Sequence, residues 1–153
     1  MTTLEAIATE QRAESHRPRS ATRSRAPTIA RFLLGTVFFV FGLNGLLNFI
    51  PPPAGPIPAG AAAFGAALMH TGYLFQLLKG TEVLAGALLL SNRFVPLALA
   101  VLAPIVINIF AFHAFLAPAQ ISVAVVVLGL EVYLAWSYRS AFRPMLSPRA
   151  TAE

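Results

Sequence analysis

Residues Phe32–Ile50, FLLGTVFFVFGLNGLLNFI, form a run of nineteen residues without a single charge. As a helix rising about 1.5 Å per residue, the run is roughly 28 Å long, close to the thickness of a bilayer's hydrocarbon core. Arg31 stands at its start and Pro51-Pro52-Pro53 at its end. Proline has no amide hydrogen and clashes with the preceding turn, so the triplet stops the helix. The stretch predicts a membrane-spanning helix, and the rest of the chain repeats the pattern.

Three more apolar runs follow: Tyr73–Ser91, Phe94–Leu116 and Ile121–Tyr138. Between Phe32 and Tyr138 the only charged residues are Lys79, Glu82, Arg93 and Glu131. The whole chain is 57% hydrophobic and 11% charged, against about a quarter charged in soluble domains. The expected fold is therefore all-α, an integral membrane four-helix bundle built on residues 29–140. Residues 1–28 read as a disordered basic tail and 141–153 as a second tail. The first 31 residues do not read as a secretory signal, because the charged region is too long and no small-residue cleavage site follows the apolar run. In the long Pro/Gly-rich connection, Ala59–Met69 is Ala-rich and predicts a short helix at the membrane surface. Pro96 suits a first helical turn, and Pro104, inside the third run, predicts a kink.

The arginines set the orientation. Arg12, Arg17, Arg19, Arg23, Arg25 and Arg31 precede the first run, Arg93 lies between the second and third, and Arg139, Arg143 and Arg149 follow the fourth. With four crossings, all ten fall on one side. Positive flanks stay cytoplasmic, so both termini are expected inside an inner, cytoplasmic membrane. The net charge of +5 is thereby used for topology and for attraction to anionic lipid, which argues against a nucleic-acid partner. The chain has no cysteine, so thiol chemistry needs another protein.

Polar residues inside spans are costly and mark sites by default. Counted from the outer end, Asn44 and Lys79 lie roughly 9 Å deep, Asn108 about 12 Å, Glu82 about 13 Å and Glu131 about 17 Å. Gln76, Asn48 and His113 lie roughly 3 to 5 Å from that end. All four runs thus turn polar in one layer of the outer half. This predicts a polar cavity lined by Asn44, Gln76, Lys79, Glu82, Asn108, His113 and Glu131. Glu82 and His113 are the candidate catalytic groups, able to hand on protons. A structural alternative stands beside it. Lys79 and Glu82 are three apart and can simply neutralise each other on one helix face. The asparagines can be interhelical glue, and Gly42 and Gly45 can allow close helix approach. His113 with His70 would be the imidazole pair for a haem or metal, but neither has a carboxylate neighbour in sequence, so that reading is disfavoured. Asn108 and His113 are about 140° apart around a helix, too far for one narrow face. Gly80-Thr81-Glu82-Val83 is echoed by Gly129-Leu130-Glu131-Val132, a faint sign of two related hairpins.

Over residues 29–146 the chain resembles the DoxX family of small four-span bacterial membrane proteins. The likeness rests on FVFGLNGLLNF, on TGYLF with KGTEVLAGALLLSNRFVPLALAVLAPIVINIFAFHAF, and on LEVYLAWSYRSAFRPML. It carries Glu82, Gly86, Asn92-Arg93, Pro104, Asn108 and His113. Some members of that family are the small membrane subunit of a thiosulfate:quinone oxidoreductase, and others belong to membrane oxidoreductase complexes that handle oxidative stress. A distant four-span group, with sterol isomerases and sigma-2-type receptors, places acidic residues in a membrane cavity. The resemblance implies a quinone as ligand and an oxidoreductase partner. The sequence leaves the oligomeric state open, a homo-oligomer being one assembly. The other two readings of the same residues are a lipophile-binding or transport protein and a non-catalytic scaffold subunit.

Overall fold

The computed structural model describes residues 25–51 and 55–146. The expected N-terminal tail lies outside the described residues up to residue 24, as do Pro52, Pro53 and residues 147–153 of the C-terminal tail. The regular elements of the described residues are all helical, with no strand among them. The order is α1 (Ala26–Leu47), α2 (Ala59–His70), α3 (Leu74–Leu90), α4 (Val95–Phe115), a 3-10 turn (Pro118–Gln120), α5 (Ile121–Ser137), the single turn α6 (Arg139–Phe142) and a last 3-10 turn (Pro144–Leu146).

α1 starts earlier than its uncharged run. Pro27 sits in its first turn, where a missing amide hydrogen costs nothing and φ is already helical. Residues 26–28, expected in the tail, are therefore helical, and Arg31 lies inside the helix instead of ahead of it. At the other end Asn48 adopts a left-handed conformation and donates its backbone N–H to the carbonyl of Asn44. Asparagine tolerates that region better than most residues, so it serves as the terminating residue.

Three segments are long and apolar enough to cross a membrane: α1, α4 and Pro118–Ser137. α2 and α3 qualify only together, and they meet at 94°. The corner is built by Thr71 and Gly72. The Thr71 hydroxyl donates to the carbonyl of Leu68 at 2.7 Å and accepts the N–H of Leu74 at 3.0 Å. It thereby satisfies one orphan carbonyl of α2 and one orphan amide of α3. Gly72 has φ +76°, which only glycine adopts without a Cβ penalty.

α1 packs on α3 and α5, and α4 packs on the same two helices, so the four long helices close a ring. The α1–α3 contact is the most intimate. Gly35 and Gly42 of α1 and Gly86 of α3 lie against each other's backbones, and a Cβ on Gly86 would come within 2.5 Å of the Phe39 nitrogen. Small residues at such a seam let two backbones approach and gain dispersion contacts where no hydrophobic effect is available. The core is apolar, with Leu34, Leu89, Leu99, Leu102, Val106 and Leu134 fully enclosed. Outside it, Phe32, Leu84, Ile107, Val126 and Trp136 are exposed together with many other large apolar side chains. A water-soluble surface does not carry so much apolar area. A lipid bilayer does.

Candidate functional site

One end of the ring encloses a cavity of about 520 Å³. Its walls come from every long helix: Val37, Phe38 and Phe41 from α1, Phe75, Leu78, Lys79 and Glu82 from α3, Ile105, Asn108, Phe112 and His113 from α4, and Val123 and Val127 from α5. Ala61, Phe64, Gly65 and Leu68 of α2 complete the wall. α2 is fixed there by a tilted ring contact between Phe64 and Phe112, 5.5 Å between centroids, and by the seat of Gly60 against Leu116. The short helix of the first long loop thus contributes directly to the chamber.

The polar groups of the chamber are few and specific. Lys79 Nζ donates to Glu82 Oε2 at 2.8 Å. Glu82 is buried and Lys79 half-buried, with the ammonium 5.9 Å from the Phe75 ring centroid. His113 Nδ1 lies 2.8 Å from the carbonyl oxygen of Ile109. A carbonyl can only accept, so Nδ1 is the donor in this contact and Nε2 is the ring nitrogen left for other partners. Asn108 adds an amide, and Gln120 from the 3-10 turn adds another. Asn108 and His113 are far apart in helical angle, yet both line the chamber, because it spans a broad face of α4.

Four of the sequence-predicted residues therefore meet in one cavity: Lys79, Glu82, Asn108 and His113. Three do not line it. Asn44 Oδ1 accepts the N–H of Ile50 at 2.6 Å, so this side chain ties down the turn after α1. Gln76 points outward and is exposed. Glu131 is buried, 5% exposed, and its Oε2 has no hydrogen-bond partner among the described residues. It lies one helical turn from Val127, which lines the chamber. Asn48, placed with the polar layer by depth, is the exposed cap of α1. His70 is exposed at the end of α2. No group of three or more His, Asp or Glu among the described residues could hold a metal ion.

The two Gly-x-Glu-Val stretches occupy matching environments. Glu82 and Glu131 are both buried, while Gly80 and Gly129 both face open space. The second stretch has Leu128 where the first has Lys79, so its carboxyl lacks the partner.

Sequence reasoning missed Arg31. It is 5% exposed, and its Nη1 donates to the carbonyls of Leu89 and Leu90 at the end of α3. A guanidinium there satisfies orphan carbonyls and faces the negative end of the helix dipole. Gln120 and the α2 residues were also missed, because no depth count along the long helices includes them.

No family model, curated protein or solved structure matches this chain.

Proposed function

We propose that this chain is a four-span DoxX-type membrane protein that binds a lipophile with a hydrogen-bonding head, of the quinone class, as the membrane subunit of a quinone-linked oxidoreductase system. The observation that supports this best is the joining of Lys79, Glu82, Asn108 and His113 at one otherwise apolar cavity. These are chemically complementary groups that converge from α3 and α4 on one cavity. Ligand sites of this kind are mostly apolar with a few placed polar groups. A quinone carbonyl accepts from Lys79 or the Asn108 amide, and a quinol hydroxyl donates to His113 Nε2. Reduction of the ring takes two electrons and two protons. The electrons come from a partner oxidoreductase, and the chain's own part is to hold the ring and pass protons at His113 and the Lys79–Glu82 pair.

A second reading uses the same cavity to carry a lipophile without redox chemistry. The absence of cysteine from the chain is compatible with it, since any thiol chemistry must then belong to another protein.

The test compares wild type with Glu82→Gln, both purified in mild detergent. Bound small molecules are extracted and identified by mass spectrometry, and the visible spectrum is recorded. The expected result is a quinone in wild type that is depleted in the variant. A different lipophile showing the same loss selects the second reading. Nothing specific in either protein, with both well folded, leaves the polar groups as helix glue and the chain as a scaffold.

A further inference from the structure

A smaller cavity of about 280 Å³ lies beside the first and shares Phe64, Leu68, Leu78, Ile105 and Asn108 with it. Only Leu74 of α3 and Pro104 of α4 belong to the smaller one alone. Its lining comes from α2, α3 and α4, whereas the larger chamber is walled by all five helices. No charged residue lines it, and Asn108 is its single polar side chain. The uncharged annex between α3 and α4 therefore lies directly beside the chamber with the ion pair and the imidazole, with Phe64, Leu68, Leu78, Ile105 and Asn108 common to both linings.

That annex lies in a gap that the fold leaves loose. α3 is drawn onto α1 by the glycine seam and packs far less extensively on α4. α3 and α4 are joined at their far ends by the tight turn through Asn92 and Phe94, both left-handed. Pro104 and Asn108, on the α4 side, are both exposed.

Resting on the ligand class proposed above, we infer that the ligand is a chain-bearing amphiphile loaded sideways from the bilayer. Its head lies with Lys79, Glu82 and His113, and its apolar chain leaves between α3 and α4 past Leu74 and Pro104. A compact ring entering from water would have no use for the annex. Lipid chains are as apolar as the annex walls, so the chain adds little net affinity in a membrane. The annex selects by room and route, not by strength of attraction.

The experiment uses full-length protein in lipid nanodiscs and two probes, a decyl-substituted benzoquinone and its methyl-substituted counterpart. Wild type should bind both with affinities within a few-fold when referred to the lipid phase. Leu74→Trp should weaken the decyl probe tenfold or more and leave the methyl probe within twofold, which also shows that the variant is folded. Leu74→Phe should lie between. If both probes bind wild type and Leu74→Trp treats them alike, the quinone reading stands and the side route is wrong. Equal loss of both probes in Leu74→Trp and Leu74→Phe, in protein still helical and monodisperse, also overturns it. If neither probe binds wild type, the quinone reading fails and takes this inference with it.

Discussion

Lys79 and Glu82 show how a single pair constrains both stability and function. Two charges removed from water gain little net stability from each other, but taking away one partner strands the other. Lys79→Met leaves the Glu82 carboxyl among Phe38, Leu78 and Val127 in the chamber wall, and should destabilise the protein by roughly 3 kcal/mol. Adding Glu82→Leu should restore most of that loss, because it removes the stranded group. Chemical unfolding in detergent measures all three proteins. Equal destabilisation of the single and double variants would mean that the two side chains do not depend on each other. Glu131 presents the opposite case, a buried carboxyl with no lysine three residues earlier and no partner for Oε2.

At the scale of elements, the α1–α3 seam sets how the α1 and α3 walls of the cavity stand to each other. Gly86→Ala puts a methyl against the Phe39 backbone, which cannot move aside as a flexible side chain can. The expected cost is about 1 to 3 kcal/mol, with a lower unfolding temperature and weaker ligand retention. Gly80→Ala on the same helix meets nothing and should be neutral or slightly stabilising, since alanine is the better helix former. Similar losses in both variants would rule out the seam as the cause. The sequence made the helical elements legible through long apolar runs, and Lys79–Glu82 through its three-residue spacing. It also brought Asn108 and His113 to the right depth. Depth is one coordinate, and it says nothing about angle around the helix or about local uses of a side chain. For that reason a depth count includes among the cavity residues both Asn44, which is bonded to Ile50, and Gln76, which is exposed. Arg31 was read as a flank because an arginine at the edge of an apolar run looks the same whether it meets lipid headgroups or the carbonyls of a neighbouring helix.

For the whole molecule the open issue is the number of crossings, since α3 has 17 residues and spans about 25 Å alone. Its pairing with α1 argues that it crosses. Arg31 in the second turn of α1 reaches the last carbonyls of α3, and Gly45 near the end of α1 meets the Lys79 side chain in the second turn of α3. α1 advances about 21 Å between those contacts, and α3 runs antiparallel beside it throughout. If α1 crosses, α3 crosses the same slab, and α4 and α5 return the chain to the starting side. The absence of native cysteine makes this directly measurable with single cysteines at three exposed sites: Ser91 between α3 and α4, Ala119 between α4 and α5, and Ser140 after α5. A membrane-impermeant maleimide applied to intact cells should label Ala119→Cys, and should reach Ser91→Cys and Ser140→Cys only after permeabilisation. If α2 and α3 instead form a loop that enters and leaves on one face, while the N-terminus stays cytoplasmic, the pattern inverts at all three positions. Ser91→Cys and Ser140→Cys would then be labelled from outside and Ala119→Cys protected. The arginines decide between the two patterns in advance. The inverted pattern exports Arg93, Arg139, Arg143 and Arg149, against the cytoplasmic bias of positive flanks, whereas four crossings keep every arginine inside.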